Sequence, residues 1–339
     1  MALDDLSVDI VVSSLKESVF TAGLKAKGVN FIELSGSQRK VFKNRRLFAA
    51  LLKEKNYDAV HFNLFQGLSL NYVSLAKRAG VATRIVHSHN TALRKSSLRA
   101  AKLALHRAGS ALWKNCATHR WACSGAASEF LFGKGEFTFI PNGIDIKRFA
   151  FDERTRLSVR AELCAEKKFI AGSVGRLCEQ KNQSFSLDVF SHLAKIKPDS
   201  LLLLVGEGED RAMLEAKAKQ LNIEDKVVFL GVRSDVERLY SAMDAFLFPS
   251  IFEGLGIVAV EAQTSGLEVL CSENVPEEAI VTDYARSMRL SDGAQRWAKA
   301  LAQMSLNKKD RSKASQTVAL AGFESTAVAK MIENAYLGI

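Results

Sequence analysis

The chain has 339 residues, 47% hydrophobic and 25% charged. That is an ordinary globular balance in a chain too long for one compact core, so two domains are expected. No apolar run approaches the ~18 residues of a membrane span, and the acidic opening MALDDLSVDI lacks a signal-peptide core, so a cytoplasmic location is expected. Cys116, Cys123, Cys164, Cys178 and Cys271 lie far apart with no C-x-x-C pair, which argues against a disulfide framework or a zinc site. The formal net charge is +10, but residues 1–150 hold 23 Lys and Arg against 10 Asp and Glu, and the remainder 24 against 27. The first half therefore either faces something anionic or carries a solvated basic surface. Nucleic acid is a poor partner for it, since no binding module and no aromatic interleaving of the basic residues is visible.

Short β-rich runs alternate with longer helical patterns along the whole chain. In the first half the strands read as 8–12, 29–34, 57–62, 83–88, 120–124 and 137–141, with helical patterns near 41–54, 67–79 and 96–115. PNGID then turns the chain, and FAFDERTRLSVRAELC reads as a charged connecting segment, placing the domain boundary near 142–165. In the second half strands are expected at 168–175, 200–206, 226–231, 245–250 and 267–272, and helices near 183–196, 209–221, 234–242 and 256–265. Several strands are almost continuously apolar, as parallel strands covered on both faces must be. The pattern predicts two doubly wound α/β domains, 1–150 and 151–322. The last helix, within 323–339, is a candidate to return to the first domain.

In open α/β sheets ligands bind beyond the carboxyl ends of the strands, so the residue after each apolar run is the place to look. After AGSVG come Arg176 and Lys181 in GRLCEQKN. A glycine turn leading into a helix beside two cations suits a diphosphate, although such a pair is often merely solvated. The VGEGED turn, with Gly206 and Gly208, looks like a dinucleotide fingerprint but has Arg211 where the third glycine belongs. FEGLGIVAVEA places Glu253 ahead of a helix start near Gly254–Gly256 and Glu261 about two turns inside it. Carboxylates accept two hydrogen bonds in a fork, which suits the adjacent hydroxyls of a ribose or hexose. The structural alternative is that Glu253 caps the helix and Glu261 pairs with a cation.

FEGLGIVAVEA resembles the E-x7-E segment of retaining family-4 glycosyltransferases, which have the GT-B fold of two Rossmann-like domains facing across a cleft. GRLCEQKN is similar to that family's diphosphate turn and IPNGID to its first-domain exit, while HSHN (87–90) and SGLEVLCSENVPEEA (265–279) look most like the capsular and exopolysaccharide branch. The resemblance spans roughly residues 8–338. It implies transfer of a hexose from a nucleotide-diphosphate sugar, UDP-linked by expectation, to a glycan or lipid-linked acceptor.

By the same resemblance, Arg176 and Lys181, beside Gly175, would bind the donor diphosphate and stabilise the leaving nucleotide. Glu261 would hold the ribose, Glu253 the transferred sugar, and backbone groups around Gly254, Leu255 and Gly256 would meet sugar and diphosphate. The base would lie near Gly206, Val232 and Arg233. From the first domain His89 would contact the donor sugar, with His87 the weaker alternative. No D-x-D motif appears, so no metal is expected. The segment TALRKSSLRAAKLALHRAGSALWK carries Arg94, Lys95, Arg99, Lys102 and Arg107 beside an apolar stripe. It is either a solvated amphipathic helix or a contact for anionic headgroups or a lipid diphosphate at the inner membrane face.

Family members place a strand ending in a Gly-Gly loop, then a helix, before the segment that SVDIVV resembles, whereas this chain begins at that later point. The first sheet is therefore expected to have a gap at its centre. Two rival readings are a UDP-N-acetylglucosamine 2-epimerase of the same fold and a catalytically silent nucleotide-sugar-binding subunit.

Overall fold

The computed structural model describes residues 6–15, 19–37, 39–93, 98–304 and 310–339. Its first half holds strands β1 (Asp9–Val12), β2 (Asn30–Glu33), β3 (Ala59–Leu64), β4 (Thr83–Ser88), β5 (His119–Ala122) and β6 (Thr138–Phe139). Between them run helices α1 (Val19–Ala26), α2 (Val41–Lys55), α3 (Asn71–Arg78), α4 (Arg99–Trp113) and α5 (Gly125–Phe132). The crossing segment forms α6 (Ile146–Phe149) and α7 (Glu153–Glu162). The second half has β7 (Phe169–Val174), β8 (Ser200–Val205), β9 (Val227–Gly231), β10 (Ala245–Phe248), β11 (Glu268–Ser272) and β12 (Ala285–Met288). Its helices are α8 (Gln183–Ile196), α9 (Arg211–Gln220), α10 (Val236–Ala242), α11 (Ile257–Thr264) and α12 (Ala294–Met304), followed by α13 (Ala314–Val318) and α14 (Ser325–Leu337).

The second sheet is wholly parallel in the order β12-β11-β10-β7-β8-β9, the Rossmann order with its switch point between β7 and β10. SLLLLV of β8 is buried along its whole length because both faces are covered. Leu202 and Leu204 face Leu187 and Phe190 of α8, Leu214 of α9 and Trp297 of α12. Leu201, Leu203 and Val205 alternate to the other side, into the cluster containing Tyr240 of α10 and Val260 of α11.

The first sheet is divided. Among the described residues β3-β4-β5-β6 form one parallel sheet and β1-β2 a separate parallel pair. Val11, Ile32 and Leu34 nevertheless rest on the same core as Phe62 of β3, and the Tyr57 hydroxyl donates to Asp9 Oδ2 at 2.6 Å.

Each expected strand forms within two residues of its expected bounds. The polar β12 (ARSM) was not visible because its hydrogen bonds run along a half-exposed sheet edge. The segment read as a charged connector is largely helical. Asp152 caps α7 by accepting from Thr155 N at 2.6 Å, and Arg156 and Arg160 of α7 both reach Asp244 ahead of β10. These bonds attach α7 to the second domain. Residues 94–97, part of the expected helix 96–115 and of its basic set (Arg94, Lys95), lie outside the described residues.

The chain crosses back at Ile144, whose N–H donates to Phe323 O at 2.7 Å and whose carbonyl accepts from Ser325 N at 2.9 Å. Beyond it, Val328, Ile332 and Tyr336 of α14 pack on Ile85, Trp121 and Ile140 of the first domain.

Candidate functional site

At the end of β7 the chain turns through Gly175, φ 146°, a conformation that side chains rarely adopt. A Cβ on Gly206 would overlap the Gly175 carbonyl, so the turns after β7 and β8 can touch because position 206 is glycine. Arg176 is exposed and its Nε donates to Glu209 at 2.9 Å. The rest of GRLCEQKN is tied across the switch point to the turn after β10. Ile251 N donates to Gln180 O at 2.8 Å, Gln180 Nε2 to Phe252 O at 3.0 Å and Asn182 Nδ2 to Pro249 O at 3.1 Å.

These ties bring Lys181 Nζ to 2.7 Å from Glu253 Oε1 and 4.9 Å from the centroid of the Phe248 ring. Glu253 is 5% exposed, and a buried carboxylate needs such a partner. Glu253 therefore meets the cation. Glu261 accepts from the Tyr240 hydroxyl at 3.1 Å, and no side chain caps the helix at Gly256, so the purely structural assignment holds for neither glutamate. Burial pushes the Glu261 carboxyl above its ordinary range, against the pull of Tyr240. The helix starts at Ile257, not at Gly254–Gly256, which puts Glu261 in its second turn. Gly256 at its N-cap has φ 90°, Leu255 is buried, Val232 is exposed, and Arg233 forks onto Asp235 at 2.8 and 2.7 Å.

The first-domain wall comes from the ends of β4 and β5. Thr91 Oγ1 donates to Glu253 O at 2.7 Å, Ser124 Oγ to Gly254 O at 2.5 Å, and Gly125 N to Glu278 Oε1 at 2.6 Å. Gly254 lies so near the His89 backbone that a Cβ there would overlap its carbonyl oxygen. The geometry also separates the two histidines. His87 is buried with Nε2 3.2 Å from Ile140 O, whereas His89 is half-buried at the cleft with Nε2 2.8 Å from Asn63 Oδ1. Sequence reasoning did not single out Asn63, Thr91, Ser124 or Glu278. Only Ser124, the polar residue ending an apolar run and capping α5 through Ala127 N, carried a readable signal.

Lys181, Glu253, Gly254, Glu261 and His89 thus converge between the facing carboxyl ends of two parallel sheets, while Arg176 and Arg233 are turned onto their own acidic neighbours. Two doubly wound domains closing on such a crevice are the GT-B architecture. The chain matches structures of that fold over nearly its whole length. These include Anabaena Alr3699/HepE in complex with UDP (TM-score 0.79, 20% identity, 98% of this chain and 92% of that one). They also include WaaG, a glycosyltransferase involved in lipopolysaccharide biosynthesis (TM-score 0.75, 18% identity, 100% and 93%).

The family model described as glycosyl transferases group 1 matches residues 156–319. The putative glycosyltransferase EpsF of Bacillus subtilis (strain 168) is 32% identical over 267 residues, 76% of this chain and 69% of that protein. A UDP-Gal:alpha-D-GlcNAc-diphosphoundecaprenol alpha-1,3-galactosyltransferase of Escherichia coli is 27% identical over 232 residues, 66% of this chain and 59% of that one. The chain belongs to the group 1 glycosyltransferases, and it is a glycosyltransferase.

Proposed function

We propose that the protein moves a hexose from a UDP-linked donor, with retention of configuration, to a glycan or lipid-diphosphate-linked acceptor in surface polysaccharide synthesis. The observation that carries this reading is the Lys181–Glu253 pair at the switch point, beside a Gly254 that abuts the His89 backbone across the cleft. The donor diphosphate would take Lys181, and Arg176 would leave its exposed partner Glu209 at little cost, since surface pairs contribute ~0–1 kcal/mol. Negative charge developing on the departing UDP is then met by two fixed cations without a metal. Glu261, held by Tyr240, would accept the ribose hydroxyls. Glu253 and His89 would contact the sugar, with backbone groups of Gly254, Leu255 and Gly256 beside it and the base near Gly206, Val232 and Arg233. The relatives whose names specify UDP or a lipid-diphosphate acceptor support this choice of donor and acceptor class.

Charge-assisted hydrogen bonds contribute ~1.5–3 kcal/mol each, so Lys181→Ala should weaken UDP binding by ~10–150-fold in titration calorimetry. Unchanged UDP affinity in both Lys181→Ala and Glu261→Gln would remove this site. Release of UDP from a UDP-hexose only when an acceptor is added would distinguish transfer from simple binding.

The same proposal places the first domain against an anionic membrane at its cytoplasmic side. Among the described residues no helix is long and apolar enough to cross a membrane. Helix α4 buries only His106 and Gly109. Leu98, Leu105 and Leu112, seven residues apart and therefore on one stripe, are exposed, and Arg99, Lys102 and Arg107 are exposed on the same helix, Lys102 nearest the stripe. Binding to acidic vesicles should fall steeply with added salt, because exposed charges are screened within ~8 Å at physiological ionic strength. Equal binding to neutral and acidic vesicles would count against the membrane contact.

A further inference from the structure

Beneath the cleft, three histidines form a row whose last member is His89. β3 and β4 are parallel with Asn63 opposite His87, and the alternation of a strand puts His61 on the same face as Asn63. The His61 and His87 rings stack at 5.6 Å, His87 and His89 lie at 4.0 Å, and Trp121 stands edge-on to His61 and His87 at 5.2 and 6.0 Å. Each imidazole has its own outer partner: the Tyr336 hydroxyl 2.7 Å from His61 Nδ1, the Ile140 carbonyl for His87 and the Asn63 side-chain carbonyl for His89.

A carbonyl oxygen only accepts, so the Asn63 contact requires a proton on His89 Nε2. Whether the other nitrogen is also protonated follows from the surroundings. Burial and the neighbouring rings hold His87 down to about 3 and His61 to about 4, and burial lowers His89 as well. The row is therefore uncharged at neutral pH, and a neutral His89 protonated at Nε2 has its lone pair at Nδ1. In free imidazole the two tautomers interconvert and the ring can turn over. Here the Asn63 amide selects one of them.

We propose that Asn63 is a positioning residue that fixes the Nε2–H tautomer of His89, making Nδ1 a hydrogen-bond acceptor for a hydroxyl of the donor sugar. The sugar contact itself rests on the function proposed above; the tautomer does not. The consequence is a preference: a donor sugar with a hydroxyl at this point fits, and one with an acceptor-only group does not.

The test is 15N NMR of the full chain labelled at its six histidines, with the His89 signals assigned by their loss in His89→Gln. The wild type should show a single Nε2–H tautomer at neutral pH. Asn63→Ala should show both tautomers, an unchanged UDP affinity, and a kcat/KM for the sugar donor lowered about tenfold, the worth of one hydrogen bond. Asn63→Asp, which keeps an acceptor oxygen, should keep Nε2 protonated. A single Nε2–H tautomer persisting in Asn63→Ala overturns the proposal whatever the activity. So does a mixed tautomer with full activity when His89→Ala is inactive. Full activity in His89→Ala would instead sink the sugar contact, and the tautomer result would still decide the role of Asn63.

Discussion

Replacing Gly254 with alanine should lower glycosyl transfer about a hundredfold while UDP binding changes only a few-fold, since misplacing reacting groups by ~1 Å can cost that much. A Cβ at this position would overlap the carbonyl oxygen of His89 and approach its carbonyl carbon to 2.8 Å and Asn90 N to 3.5 Å. All three are backbone atoms, which cannot rotate aside as a side-chain end does. The walls of the cleft would have to part, stretching the bonds from Thr91 to Glu253 O and from Ser124 to Gly254 O. The nucleotide contacts assigned to Lys181 and Glu261 lie within the second domain and would not be stretched. Acceptor-dependent UDP release, paired with calorimetry of UDP alone, reads the two effects separately. Wild-type turnover in Gly254→Ala would mean that transfer does not require this contact between the walls.

Amide hydrogens of β1 and β2 should exchange at least a hundredfold faster than those of β7, β8 and β10, because local opening free energies range from near zero up to the global value. An isolated pair of strands is marginal in water, and three or more on a hydrophobic face are needed for independent stability. β1 and β2 pair only with each other among the described residues, and their burial is partial throughout β1. β7 and β10 lie inside a six-stranded sheet covered on both sides. What holds the pair in place is the apolar contact of Val11 and Ile32 with the Phe62 cluster and the Tyr57–Asp9 bond. Equal protection of the two sheets in exchange mass spectrometry would show that the division of the first sheet costs no local stability. Tyr57→Phe should speed exchange in β1 further, leaving the second domain unaffected.

The second domain was legible from β7 to β11, whereas β12, α12 and α13 were not read. Runs such as SLLLLVG and KFIAGSVG state their burial on both faces in their own composition, and the glycine after each marks a tight turn. α7 was misread because its charges look solvated in sequence. In the fold Arg160 is 6% exposed, sharing Asp244 with Arg156. A buried cation is unrecognisable until its counter-ion, here far along the chain, is located.

By itself the sequence determined the α/β class, the two-domain order, the parallel strands and the turns where Arg176, Lys181 and Glu253 stand, because periodicity and turn chemistry act within about ten residues. Tertiary structure alone decided that Lys181 meets Glu253 while Arg176 turns to Glu209, and that His89 lines the cleft while His87 is buried. It also decided that Asn63 holds the His89 ring and that Tyr336 reaches back to His61. Lys181 and Glu253 are 72 residues apart and His61 and Tyr336 are 275 apart. Pairing at such separations is set by how sheets and helices stack on a shared core, which no local pattern of residues encodes.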